Sequence, residues 1–122
     1  MRALTLLVSG LLLTGLLLPP TAQAHAILME SEPAAQTTVA AGKLHVVLRF
    51  NSRIDQPRSR LELRGGPAGQ APIPVPLALS ASPDTLSADT TVTPGEWVLR
   101  WQVLAVDGHI TRGDVPLTIK SP

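Results

Sequence analysis

The stretch from Trp97 to Gly113, W-V-L-R-W-Q-V-L-A-V-D-G-H-I-T-R-G, constrains the fold more than any other part of the chain. Trp97, Leu99, Trp101, Val103 and Ala105 alternate with Val98, Arg100, Gln102, Leu104 and Val106. Period-two alternation is the pattern of a strand with one strongly buried face, so this segment predicts one long strand with both tryptophans in the core. Extended geometry carried past Val106 would point Asp107 and His109 the same way, because residues i and i+2 share a face. Gly108 puts no side chain between them. A carboxylate and an imidazole so placed are half of a metal site.

The other half is read from the start of the chain. Arg2 gives a positive n-region, Leu4 to Leu18 is a largely apolar run, Pro19-Pro20 ends it, and Ala22-Gln23-Ala24 is a small-x-small cleavage site. The run is short for the roughly 20 residues of a spanning helix. Residues 1–24 are therefore expected to be a cleaved secretory signal and residues 25–122 a single mature domain. Cleavage after Ala24 would make His25 the first residue. Its new α-amine and its imidazole Nδ1 then close one chelate ring on a metal ion. With reference pKa values of about 7.7–8.0 and 6.5, both donors can lose their protons to a metal near neutral pH.

Composition narrows the function. Without Arg2, nine basic residues face nine acidic ones, which argues against nucleic acid and against electrostatic membrane binding. The absence of cysteine removes disulfides, thiolate metal sites and Cys nucleophiles. One Phe, two Trp and no Tyr place the aromatics in the core. Twelve Pro and nine Gly break the rest into short pieces with no amphipathic helix.

Strands are expected at Ala26–Met29, with Met29 packed in it, at Lys43–Phe50 with Leu44, Val46, Leu48 and Phe50 inward, and at Arg60–Arg64 with Leu61 and Leu63 inward. Thr85–Val92 reads as a weak strand, and Val115, Leu117 and Ile119 point inward in the last one. Ala34–Gly42 reads as a loop, Asn51–Pro57 as a turn and Asp114 as a turn residue. Ile73–Leu77, alternating with proline, reads as an edge strand or extended loop. About seven short strands predict an all-β fold, an antiparallel, immunoglobulin-like β-sandwich of Greek-key, barrel-like form. His45 faces outward and is read as a surface histidine.

His25 with its amine, Asp107 and His109 make a set of three nitrogens and one oxygen. Such donors suit tetragonal Cu(II), which heads the Irving–Williams order; Zn(II) would take the same set with a more tetrahedral shape. Asp-Gly-His alone is weak, since Asp-Gly is an ordinary turn pair. Its coincidence with an N-terminal His in a secreted sandwich gives it weight.

The opening His25-Ala26-Ile27-Leu28-Met29-Glu30-Ser31-Glu32-Pro33-Ala34, the strand Lys43–Phe50, and Pro94-Gly95 through Trp101 to Asp107-Gly108-His109 and Gly113 resemble the CopC family of periplasmic copper-binding, copper-resistance proteins. The resemblance spans nearly the whole mature chain. It implies a β-sandwich that binds one Cu(II) through the His25 amine and imidazole and the His109 imidazole, with the Asp107 carboxylate nearby. It also implies a protein that carries or buffers copper in the periplasm with a CopD-like inner-membrane partner; the small, near-neutral domain itself is expected to be a monomer. The sequence departs from the family pattern in two places. Some members carry a Met-rich Cu(I) loop; here only Met29 remains after residue 24, so a Cu(II)-only protein is expected. Many members follow the second-strand Phe with Ser-Glu; here Asn51-Ser52 follows Phe50, and the extra carboxylate is missing.

Two other functions fit parts of the pattern. An N-terminal histidine brace also serves copper monooxygenases that oxidise glycans, but this chain lacks the exposed aromatics that stack sugars. A metal-free β-sandwich interaction module is the third reading. No hydrolase or phosphate-binding motif is present, and no enzyme activity is expected.

Overall fold

The computed structural model describes residue 15, residues 25–68 and residues 70–122. The signal assigned to residues 1–24 lies outside the described residues apart from Gly15. Nine strands follow one another: β1 (Leu28–Glu32), β2 (Thr37–Ala40), β3 (Gly42–Phe50), β4 (Ile54–Gly65), β5 (Ile73–Pro74), β6 (Leu77–Ala78), β7 (Thr85–Val92), β8 (Gly95–Ala105) and β9 (Ile110–Lys120). They form two sheets, ordered β1-β3-β7-β6 and β2-β9-β8-β4-β5. Among the described residues no helix is long and apolar enough to cross a membrane.

The alternation of β8 does what its pattern requires. Trp97, Leu99, Trp101, Val103 and Ala105 are all buried, against Leu61 and Leu63 of β4 and Val115, Leu117 and Ile119 of β9. The facing sheet contributes Leu44, Val46, Leu48 and Phe50 from β3. Phe50 meets Trp101 edge-to-face at a centroid distance of 5.1 Å. Burying rings of this size stabilises the fold by roughly 4–6 kcal/mol each as an upper bound. Trp101 lies across its cross-strand neighbour Gly113, where any Cβ would collide with the indole. That is why β9 carries glycine at this inward position.

The two additional strands have identifiable causes. The Ala34–Gly42 segment, read as a loop, contains β2, which pairs parallel with the C-terminal end of β9 from Thr37↔Leu117 to Ala40↔Lys120. It is an edge strand held by its ladder, with Val39 packed against the core, so little alternation marks it. The proline-spaced segment makes two contacts of two residues each. Ile73–Pro74 caps β4 on one sheet and Leu77–Ala78 caps β7 on the other, with buried Val75 between them. Strand β4 begins at Ile54, inside the expected turn. A register shift between Asp55 and Arg60 lifts residues out of the ladder, and the buried Ser59 hydroxyl bonds to the Asp55 carbonyl. Asp114 sits within β9, not in a turn, and forms an ion pair with Arg100.

Candidate metal site

The site lies where an edge of one sheet meets the β8–β9 hairpin of the other. On the first side, His25 and Ala26 precede β1. Ala26 is fully buried and anchors the chain in the core. The next residue is clamped by Asn51: the Ile27 N–H donates to Asn51 Oδ1 at 2.8 Å, and the Asn51 N–H donates to the Ile27 carbonyl at 2.9 Å. A buried methyl and a two-way polar clamp therefore fix the path of the chain immediately after His25. The sequence marks Asn51-Ser52 only as the place of a missing carboxylate; its clamping role depends on a contact 24 residues away.

On the second side, β8 ends at Ala105 and the chain turns, with the Gly108 N–H donating to the Ala105 carbonyl and the Ala105 N–H to the His109 carbonyl. The extended geometry expected through residue 109 does not continue. Gly108 has φ +89°, a left-handed conformation that suits glycine. Asp107 and His109 still come together, by a different route. Asp107 Oδ1 accepts the His109 backbone N–H at 3.0 Å, and Oδ2 accepts from His109 Nδ1 at 2.8 Å. The backbone bond and then the side-chain bond from His109 hold the Asp107 carboxyl below its ordinary pKa, helped by the nearby imidazoles of His109 and His25 and opposed by slight burial.

The two sides meet. The His25 and His109 rings approach edge-to-face with centroids 5.2 Å apart. An ionised carboxylate only accepts hydrogen bonds, so the His109 nitrogen facing Asp107 carries the proton and Nε2 carries the free lone pair. All three residues singled out in the sequence are thus neighbours. Among the described residues, three His, Asp or Glu side chains do not form a ready-made metal cage. Asp107 faces His109 with both oxygens.

Other residues fall elsewhere. His45 is exposed on β3 and bonds through Nδ1 to Asp89 of β7 at 2.7 Å. Met29, expected to pack in its strand, is 56% exposed. It lies at the shift in register where Leu28 pairs with Phe50 and Glu30 with Arg49, so the bulge turns it outward.

Comparison with known proteins agrees with this architecture. The CopC domain matches residues 28–120. Protein YobA of Escherichia coli K12 is 30% identical, over 89% of this chain and 90% of that protein. Among solved structures, CopC from Methylosinus trichosporium OB3b superposes with a TM-score of 0.67 at 27% identity, covering 80% of this chain and 95% of that one. PcoC, a methionine-rich copper resistance protein from Escherichia coli, gives 0.66 at 26% identity, covering 80% and 100%. With a family domain spanning most of its length and the two-sheet sandwich of these neighbours, the chain belongs to the CopC family.

Proposed function

We propose that this chain is a periplasmic protein that binds one Cu(II) through His25 and His109, with Asp107 supporting His109, and carries or buffers copper without catalysing a reaction. The observation that carries this reading is the approach of the His25 and His109 rings to 5.2 Å across the junction of the two sheets. Each residue has a distinct task. His25, freed by cleavage after Ala24, contributes its amine and imidazole Nδ1 as a six-membered chelate ring closed within one residue. His109 contributes Nε2. Asp107 accepts a hydrogen bond from the His109 Nδ1–H, which fixes the tautomer and aims the ring, as outer carboxylates do for metal-bound histidines. Its negative charge also offsets part of the charge of the cation. Copper is cargo here, and an inner-membrane protein similar to CopD is the exchange partner. The protein works as a monomer.

The chelate makes a sharp demand on the N-terminus. Mass spectrometry of the exported protein should find His25 first. Competition against a chelator should give one equivalent of bound Cu(II) for protein beginning at His25. A single extra residue before His25 converts the amine to an amide and should weaken binding by more than about a hundredfold, beyond the loss typical of an outer-layer partner. Equal affinity for the extended protein would overturn the reading.

A further inference from the structure

The outer face of the five-stranded sheet carries an unbalanced row of donors. Registry places Arg60 of β4, Gln102 of β8 and Arg112 of β9 side by side. In the next row Glu62, Arg100 and Asp114 are neighbours. That second row is internally neutralised, because Arg100 pairs with Asp114 and Glu62 with Arg64. Among the described residues, no carboxylate lies within salt-bridge distance of Arg60 or Arg112. Arg112 Nε donates to Gln102 Oε1 at 2.8 Å, which uses the amide oxygen, while the Gln102 N–H₂ has no hydrogen-bond acceptor among the described residues. The row therefore presents two guanidinium groups and an amide N–H₂, all donors, with its one acceptor used internally. Together with Glu62, Arg64 and Arg100 these side chains line a shallow depression of about 230 Å³.

The row's position gives it meaning. Stepping from the arginine row toward the β8–β9 turn, the next row on this face is Asp55, Leu104 and Ile110, with Asp55 paired to Arg58 and Ile110 52% exposed. Beyond it lies Val106, 65% exposed, where the chain enters the turn that carries His109. Two residues of strand span about 7 Å, so the donor row and this apolar row are direct neighbours, and the strip runs on into the β8–β9 turn.

We propose that this strip is the docking face for a partner polypeptide that presents a carboxylate side chain beside an apolar one. The carboxylate would sit between Arg60 and Arg112 over Gln102, a span of two inter-strand spacings, roughly 10 Å. Guanidinium groups recognise carboxylates with two parallel hydrogen bonds, and the apolar residue would cover Ile110 and Val106. Glu62 and Asp114 on the same face oppose a continuous anionic surface, so a discrete acidic side chain fits better than a lipid leaflet. The docking strip rests on the copper reading only for its purpose: it would bring a copper-exchanging partner alongside His109.

The test is a nuclear magnetic resonance titration of isotopically labelled protein with a short peptide alternating leucine and glutamate. A leucine–glutamine peptide, inorganic phosphate and phosphatidylglycerol vesicles serve as competing probes. The glutamate peptide should shift the Gln102 side-chain amide, the Arg60 and Arg112 side-chain signals and the Ile110 amide, and the glutamine peptide should not. In Arg60→Gln/Arg112→Gln the peptide affinity should fall by about tenfold or more, while tryptophan fluorescence and Cu(II) stoichiometry stay unchanged. Equal shifts with phosphate alone, an arginine-dependent association with vesicles in place of the peptide, or no shift with any probe would each overturn the proposal. Peptide binding with no Cu(II) binding by the native protein would instead defeat the copper reading and leave the docking face standing.

Discussion

Replacing Asn51 by alanine tests how the fold positions the N-terminal histidine. The substitution removes the acceptor of the 2.8 Å bond from the Ile27 N–H and leaves the reciprocal bond from the Asn51 N–H intact. A neutral hydrogen bond of this kind contributes about 0.5–1.5 kcal/mol net, and exposure puts this one at the lower end. The melting temperature of a domain this size should fall by no more than roughly 4–8 °C per kcal/mol. The larger consequence is local. Ala26 remains buried, but the segment carrying His25 gains freedom to leave the His109 ring. If the whole loss appears as fraying of that segment, Cu(II) binding weakens by about two- to threefold, since 1.4 kcal/mol is one decade. Amide exchange at Ile27 should accelerate in the same proportion. Asn51→Asp keeps an acceptor oxygen and should restore both quantities. Chelator competition and hydrogen exchange measure the two effects separately. Weaker copper binding with unchanged exchange at Ile27, or faster exchange with unchanged copper binding, would refute the positioning argument.

Other expectations follow from particular contacts. Gly113→Ala drives a methyl group into the Trp101 indole and should cost about 1–3 kcal/mol, read as a lower thermal midpoint and altered tryptophan fluorescence; an unchanged midpoint would contradict the packing. Gly108→Ala meets no atom within 4 Å, so its cost is conformational alone, about 1–2 kcal/mol from φ +89°, and urea unfolding should show a smaller effect than at Gly113. In the copper-free protein, the lowered pKa of Asp107 adds stability that is fully present above the unfolded carboxylate value of about 3.9 and is lost as pH falls through the lower folded value. The stability gap between the native protein and Asp107→Asn should therefore narrow in acid, and a gap constant across that range would count against the hydrogen bonds to His109. Cu(II) affinity should drop steeply from about pH 7 to pH 5, because the amine and imidazole donors must each shed a proton; a flat profile would exclude a chelate built on His25.

Much of this architecture is legible in the residues themselves. The tryptophan strand and the Leu44–Phe50 strand each bury one face against a common core, so period-two alternation gives both their existence and their orientation. Strand β2 escapes because a parallel edge strand is held by backbone pairing to β9, and T-T-V-A offers only Val39 to the core. The first half of β4 escapes because its bulge breaks the alternation. At the candidate site, the three residues singled out from the sequence do lie together, but the way Asp107 meets His109 is not legible in it. Continuing the strand would give the two residues a shared face; the turn at Gly108 instead folds the carboxylate onto its own neighbour. The Asn51 clamp, the outward Met29 and the donor row of Arg60, Gln102 and Arg112 all depend on registry between distant segments, which no local pattern encodes.

The most direct test of the central claim is electron paramagnetic resonance of protein that begins at His25, titrated with Cu(II). One tetragonal signal should saturate at one equivalent, with nitrogen hyperfine structure from both imidazoles and the amine, and part of that structure should be lost in His109→Ala. A spectrum of weakly held, solvent-like copper, or one that His109→Ala leaves unchanged, would contradict a metal site shared between the N-terminus and the β8–β9 turn.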